Sequence, residues 1–360
     1  MTGRAVTLRD VAKTLGVSHT TVSNAYNRPQ KLSDQLRQRI LDTARELGYP
    51  GPDPLAAGLA RRQVGALGVL FDEDLAYALT DPAALLFLQG VAGAGRSSAL
   101  GLSLLPAPRS DEDAALTEEA VRTALVDGFV VYSVRGDHPG LLAARRRGIP
   151  LIVVDEPEPA GPGDGMFLGV DDHGGAYAAA RHLTGLGHRR IGILVDRFTP
   201  GDRHGAAGPE RQAAASYQVA RQRLAGYLAG LADAGIPAGS VPVWECGGGT
   251  PEHAGAATQE LLADGVTGIL AMTDELARGV LHTAAGLRVD VPGELSVVGF
   301  DDIPEAARTQ PPLTTVRQPL RDKGVLAVEL LTRPGTQAPP RLPTHLIVRG
   351  TTGPQPASPS

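Results

Sequence analysis

The sequence predicts a small all-α head followed by a larger α/β body of two doubly wound parallel sheets. Three observations predict it. Two short capped helices joined by a glycine lie within the first 27 residues. A third capped helix and a proline-glycine linker follow. From Val64 onward, strand-length apolar runs alternate with helical stretches, the rhythm of parallel sheets with helices on both faces. A chain of 360 residues is long enough for one small and one large domain.

In the head, Thr7 can cap the first helix, and Asp10 stands where a reciprocal capping partner belongs. Leu8, Val11, Ala12 and Leu15 fall on one helical face. Gly16 breaks the helix where a left-handed residue is wanted. Ser18 can cap the second helix, whose inner face is Val22, Ala25 and Tyr26. Small Ala12 allows close approach, and Val17 and Val22 lock the pair. This reads as a helix-turn-helix whose second helix belongs in a DNA major groove, although the bare pattern also fits an ordinary helix pair. Ser33 can cap a third helix with the stripe Leu36, Ile40, Ala44 and Leu47, ended by Gly48. After Pro50-Gly51-Pro52, Asp53 is a good N-cap and Pro54 suits a first helical turn. Gly58 costs that helix about 1 kcal/mol against alanine, and a helix so short is marginal alone. It is expected to order only when something holds it.

In the body the predicted strands are 65–71, 102–105, 128–133, 150–155, 190–195, 268–272 and 295–300. The predicted helices are 82–94, 116–126, 140–147, 175–186, 220–234, 255–262 and 276–285. Ligands of such sheets bind at the carboxyl ends of the strands. The stretch 196–219, rich in Gly, Pro and charge, is expected to be a mobile loop. It either covers the cleft or forms a surface insertion. The Pro354-Gln-Pro-Ala-Ser-Pro-Ser360 tail is expected to be disordered.

The net charge of −5 hides an asymmetry: residues 1–63 hold ten Lys/Arg against five Asp/Glu, and the remainder 24 against 34. A basic head suits a polyanion, while an acidic body opposes wrapping nucleic acid around the whole molecule. No run of 18 apolar residues occurs, and the N-terminus lacks an apolar signal segment, so a cytoplasmic protein without membrane contact is expected. Cys246 stands alone, which excludes an internal disulfide and a cysteine metal cluster. The nine histidines show no metal-ligand spacing; His173, His182 and His188 read as structural or surface groups. There is no Gly-x-Ser-x-Gly elbow. Gly93-Ala-Gly-Arg-Ser-Ser98 follows a helix and lacks the phosphate-loop lysine. Asp171-Asp172 and Asp301-Asp302 come without a nucleophile or metal set. The pattern predicts no enzyme, cofactor or metal.

An ordered set of motifs resembles the lactose-repressor (LacI/GalR) family of bacterial transcription regulators. The head contributes Thr7-Leu-Arg-Asp-Val-Ala12, Gly16-Val-Ser18, Thr21-Val-Ser23 and Glu46-Leu-Gly-Tyr49. The body contributes His182-Leu183, Gly187-His-Arg-Arg-Ile-Gly192, Arg223-Leu-Ala-Gly-Tyr227 and Val297-Val-Gly-Phe-Asp-Asp302. Pro311-Pro-Leu-Thr-Thr-Val-Arg-Gln318 and the final strand Leu346-Ile-Val-Arg349 complete the set.

The resemblance implies a periplasmic-binding-protein-like body and a homodimer reading a near-palindromic operator. It divides the chain into a DNA-binding head 1–50, a linker and hinge helix 51–63, an effector-binding and dimerisation body 64–352, and a tail 353–360. Within the body, one subdomain spans about 64–171 plus 318–332 and the other about 172–317 plus 344–352. It places His19, Thr20 and Asn24 against base edges; Asn24 departs from the arginine frequent there. Ser18, Thr21, Ser23, Asn27 and Arg28 belong with the phosphates, and Thr7 is a further DNA-binding residue. Leu59 matches a hinge residue wedged into the central base step, with Ala56 beside it. Asp155, Arg223, Thr273, Asp274, Asp301 and Gln318 match effector contacts. Phe71, Tyr77, Tyr132 and Trp244 are the aromatics placed to stack on a ring. The effector class implied is a sugar, with nucleosides or purines next, acting as inducer or co-repressor. Two other readings are a solute-binding receptor of the same build and an enzyme tethered to DNA by its head. The missing signal segment opposes the first, and the missing catalytic constellation opposes the second.

Overall fold

The computed structural model describes residues 6–52, 63–71, 79–105, 114–161, 164–248, 251–333, 335 and 341–355. The hinge residues Asp53, Ala56 and Leu59, the aromatic Tyr77 and the end of the tail, 356–360, lie outside the described residues. The chain divides into two compact units, Met1–Gly65 and Ala66–Ser360.

The first unit holds helices α1 (Leu8–Leu15), α2 (His19–Asn27) and α3 (Asp34–Glu46). The Asp10 carboxylate accepts from both the backbone N–H and the hydroxyl of Thr7, at 2.8 and 2.6 Å. Gly16 takes φ +68°, a conformation that favours glycine, and the Val17 N–H then returns to the Ala12 carbonyl. Ser18 accepts from the Thr21 N–H at 3.0 Å, and Ser33 accepts from the Leu36 N–H. Val11, Ala12, Val22, Ala25, Ile40 and Ala44 form the core, flanked by Leu8, Leu15, Val17, Leu36 and Leu47. Tyr26 meets Tyr49 edge to face at 6.1 Å, which fastens the segment after α3 onto the bundle.

The second unit is built on two sheets. Strands β1 (Ala66–Phe71), β2 (Gly101–Leu105), β3 (Gly128–Tyr132), β4 (Leu151–Val154) and β5 (Met166–Leu168) form a parallel sheet in the order β2-β1-β3-β4-β5. Strands β6 (Ile191–Val195), β7 (His204–Ala206), β8 (Val243–Cys246), β9 (Gly268–Ala271), β10 (Ser296–Asp301), β11 (Thr314–Arg317) and β12 (His345–Ile347) form the other. Its order is β12-β11-β10-β9-β6-β8-β7. Only its edge strands β12 and β7 run antiparallel. Alternate residues of each inner strand feed opposite cores: Leu67 and Val69 face one and Leu70 the other, while Ile193 and Leu194 divide likewise across the second sheet.

The covering helices are α4 (Pro82–Ser97), α5 (Ala114–Thr123), α6 (Pro139–Arg146), α7 (Asp172–Gly185), α8 (Pro209–Ala213), α9 (Gln218–Ala232), α10 (His253–Ala263), α11 (Asp274–Leu287) and α12 (Leu320–Thr332). Gly93–Ser98 forms the last turn of α4 and its cap, not a phosphate loop. Helix α12, absent from the sequence reading, crosses α4 through Gly90 and Gly324. A β-carbon on Gly90 would sit 2.0 Å from the Arg321 carbonyl oxygen, and one on Gly324 would sit 2.2 Å from that of Phe87.

Two expectations need correction. The 196–219 stretch contains β7 and α8. Phe198, Ala207 and Ala215 are buried in the core, so this stretch is an ordered arm rather than a mobile loop. The segment assigned to the tail starts bound: the Gly353 N–H donates to Ser296 Oγ and the Gln355 N–H to the Leu186 carbonyl. His188, fully buried, holds Thr267 Oγ1, Ser296 Oγ and the Gly353 carbonyl, and His182 holds Thr352 Oγ1.

Candidate functional site

Two groups of residues carry chemistry. In the head, His19 and Thr20 are exposed in the first turn of α2, and Asn24 lies one turn beyond Thr20 on the same side. Ser18 and Thr21 share a hydroxyl hydrogen bond of 2.8 Å, and Asn27 donates to Ser23 Oγ at 3.3 Å. Thr7 and Arg28 are exposed at helix ends. The edge of α2 is thus a row of short polar groups held by local hydrogen bonds.

In the body, a cleft opens at the carboxyl ends of both sheets, with about 1100 Å³ of non-atom space, part of it continuous with solvent. Its first wall is Phe71 at the end of β1, Tyr132 at the end of β3 with Ser133 after it, and Asp155 and Glu156 after β4, with Asp81 at the start of α4. Its second wall is Asp196 and Arg197 after β6, Gly248 after β8, Met272, Thr273 and Glu275 after β9, and Asp301 and Ile303 at the end of β10. Tyr217, Val219 and Arg223 reach it from α9, and Gln318 from the crossover.

A continuous row of polar contacts joins the two sheets along this cleft. Lys323, fully buried in α12, donates to both Asp155 carboxylate oxygens at 2.8 and 2.6 Å and to Gln318 Oε1 at 2.6 Å. Gln318 Nε2 donates to Asp301 Oδ1 at 2.6 Å. Asp301 faces Arg223 Nη1 at 3.6 Å. Arg223 in turn donates to Asp172 Oδ1 at 2.8 Å and to the Met272 carbonyl at 2.6 Å, with its guanidinium 3.7 Å from the Phe300 ring centre. Burying these charges is tolerable only because each has a close partner.

The local fields follow from that arrangement. Burial pushes the Asp301 carboxyl up to about 7, against the pull of Arg223 and the Gln318 hydrogen bond. Burial also raises Asp172, with Arg223 opposing. For Arg223 burial works against the charge, but Asp172 and Asp301 outweigh it and hold the guanidinium above its ordinary range. Glu156 is pushed to about 7 by burial, opposed by hydrogen bonds from the Val219 N–H at 3.1 Å and the Ser133 hydroxyl at 3.2 Å. Tyr132 is raised well above its ordinary value by burial and then by Asp155, so it stays neutral. Its ring stacks on Phe87 at 4.2 Å and meets Phe71 edge on at 5.8 Å.

Of the residues matched to effector contacts, Phe71, Tyr132, Asp155, Arg223, Thr273, Asp301 and Gln318 all line the cleft. Asp274 does not. It is fully buried, accepting from the Ile303 N–H at 2.9 Å and the Thr315 hydroxyl at 2.5 Å, so it secures strand ends instead. Trp244 lies on β8 against the core behind the second sheet, away from the cleft lining. The sequence reading missed Asp81, Ser133, Glu156, Asp196, Arg197, Tyr217 and Glu275. Ser133 ends a strand it had placed, and Glu156, Asp196 and Arg197 follow two others, so applying the strand-end rule at every strand would have found them. Arg197 and Tyr217 come from the arm, with the guanidinium 5.2 Å from the Tyr217 ring centre. The paired aspartates separate: Asp171 caps α7, Asp172 pairs with Arg223, and Asp302 holds Arg317 and Arg349.

Residues 7–51 match the family model of bacterial regulatory proteins, lacI family, and residues 180–352 match that of a periplasmic binding protein-like domain. The HTH-type transcriptional regulator IpsA of Corynebacterium glutamicum is 43% identical over 329 residues, 90% of each chain. The lac repressor dimer bound to operator and the anti-inducer ONPF is a structural neighbour with TM-score 0.77 and 25% identity, over 97% of this chain and 100% of that one. The transcriptional regulator CelR–cellobiose complex follows with TM-score 0.67 and 27% identity, over 96% and 99%. No helix among the described residues is long and apolar enough to cross a membrane. Head, body and relatives agree, and this chain belongs to the lacI family of bacterial transcriptional regulators.

Proposed function

We propose that the protein is a ligand-responsive repressor: a cytoplasmic dimer whose paired heads bind a near-palindromic operator, while a small polar metabolite, a sugar, occupies the cleft of the body. The observation that carries this reading is the polar row Asp155–Lys323–Gln318–Asp301–Arg223, which spans the two sheets and presents three of its members to the cleft beside Arg223. Hydroxyl groups entering there exchange hydrogen bonds with groups from both sheets, so occupancy and sheet separation are linked. Ligand then changes operator affinity to the extent that it binds the two arrangements unequally. The lac repressor neighbour is a dimer on operator and the CelR neighbour holds cellobiose, which supports the same division of labour here.

In this reading His19, Thr20 and Asn24 meet base edges, and Thr7, Ser18, Thr21, Ser23, Asn27 and Arg28 meet phosphates. Leu59, with Ala56 beside it, is the apolar wedge that bends the operator centre. The head is 1–50 and the hinge 51–63. The body pairs 64–171 plus 318–332 with 172–317 plus 344–352.

Selecting duplexes from a random pool with the full-length protein, at about 0.15 M salt, tests the proposal. A near-palindrome should emerge. His19→Ala, Thr20→Ala and Asn24→Ala should each relax one position per half-site by about 1–3 kcal/mol, whereas Arg28→Ala should weaken all sequences alike. No enriched site, with or without added sugars, would reject the repressor reading in favour of a solute-binding receptor.

A further inference from the structure

The charge balance of the cleft restricts what it can hold. Six carboxylates line it: Asp81, Asp155, Glu156, Asp196, Glu275 and Asp301. Two arginines, Arg197 and Arg223, line it with them, for a formal charge of −4. Adding Lys323 and Asp172 behind the wall leaves that balance unchanged, and Arg278, paired with Glu275, brings it to −3. Protonating both Glu156 and Asp301, the two carboxyls that burial pushes to about 7, still leaves −1.

Two of the cations are also committed: Arg223 to Asp172, Asp301 and the Met272 carbonyl, and Lys323 to Asp155 and Gln318. Arg197 lies 3.5 Å from Asp196, with its guanidinium over the Tyr217 ring. A phosphate ester brings about −1.5 to −2 charges at pH 7, and to gain Arg223 or Lys323 it would have to displace a buried carboxylate from its partner. Hydroxyl groups face the opposite situation. Each donates to a carboxylate without adding charge, and each accepts in turn from a neighbouring donor. Phe71, Tyr132, Met272 and Ile303 supply apolar surface for the carbon face of the same molecule.

We infer that the cleft takes an uncharged polyhydroxylated ligand and rejects its phosphorylated or carboxylated counterpart, so that the regulator senses the compound before phosphorylation or after a phosphatase has acted. This rests on the reading of the cleft as the effector site.

The experiment is a thermal-shift and calorimetric screen of the full-length protein against matched pairs: hexoses with their 6-phosphates, disaccharides with their 6-phosphates, aldoses with the derived aldonic acids, and nucleosides with their 5′-monophosphates. At least one neutral member should stabilise the protein, with its anionic partner at least about 100-fold weaker, about 2.8 kcal/mol at 1.4 kcal/mol per factor of ten. An anionic member binding as well as its neutral partner would overturn the inference while leaving the cleft a sensor. No stabilisation by any member would reject the effector-site reading, and the inference with it. Asp196→Asn combined with Glu275→Gln, both partly exposed in the wall, should improve phosphate binding at least about tenfold relative to the neutral ligand. An unchanged ratio would assign the rejection to shape and contradict the charge argument.

Discussion

Ser133, Asp155 and Asp301 have φ values of 49°, 68° and 118°, a region non-glycine residues adopt at a cost of order 1–3 kcal/mol each. All three fall at strand ends and all three line the cleft. The backbone there is bent to aim polar groups into the opening, and the buried contacts of Asp155 with Lys323 and of Asp301 with Gln318 hold it so. The same burial sets the pH response. Glu156 and Asp301 titrate near 7 in the folded protein, above their ordinary 4.5 and 3.8. The native state therefore keeps protons that the unfolded chain has released. The stability these groups contribute is fully present below about pH 4 and is lost as pH rises through about 7. Urea unfolding of the wild type should show a body more stable at about pH 5.5 than at about pH 8. In Glu156→Gln that slope should flatten, with a gain of up to about 3 kcal/mol at the higher pH, at about 1.4 kcal/mol per pKa unit. An identical slope in wild type and variant would contradict this. At this scale adjacency misled the sequence reading. Thr273 and Asp274 are neighbours, yet Thr273 caps α11 at the cleft edge while the first turn of the helix carries Asp274 into the core. Only the helix start decides which faces the ligand.

The arm between β6 and α9 shows how an element can look disordered in sequence and be ordered in the fold. Its glycines, prolines and charges predict mobility, but its charges have a buried destination. Glu245, 1% exposed on β8, receives Arg211 Nε and Nη2 at 2.7 and 2.6 Å and the Phe198 N–H at 2.7 Å. This clamp positions Arg197 and Tyr217 on the cleft wall. Charged hydrogen bonds of this kind contribute about 1.5–3 kcal/mol. Glu245→Gln should thus speed amide hydrogen exchange across the arm about ten- to hundredfold, leaving β1–β4 unchanged. Equal protection in both proteins would mean the arm is held by its apolar contacts alone. The partnership also explains why β8 escaped the sequence reading. Val243-Trp-Glu-Cys246 is four residues interrupted by an acid, and nothing local reveals that an arginine about 34 positions upstream will neutralise it. By contrast, the long apolar strands and their helices were legible, with ends shifted by a few residues. Helix α7 starts at Asp172 rather than Gly175 because the Asp171 side chain accepts from the Gly174 N–H and caps it.

At the scale of the whole molecule, the basic head and acidic body fit the proposed division of labour, with operator DNA at one unit and an uncharged ligand at the other. The α/β alternation exposed the body's class, and the capped helix pair exposed the head. The wiring between the sheets was not legible. It depends on α12, which brings Lys323 to Asp155 across 168 positions of sequence. A row that joins both sheets and borders the ligand is the element whose two arrangements ligand and operator would each favour differently. Coupling between such sites is reciprocal by linkage and typically 5–150-fold. The most direct test takes a duplex selected by the full-length protein and a neutral sugar that stabilises it. It measures four affinities: duplex with and without sugar, and sugar with and without duplex. The account predicts that each ligand changes the other's Kd by the same factor, about tenfold or more, in whichever direction. Tight sugar binding that leaves duplex affinity unchanged would contradict it.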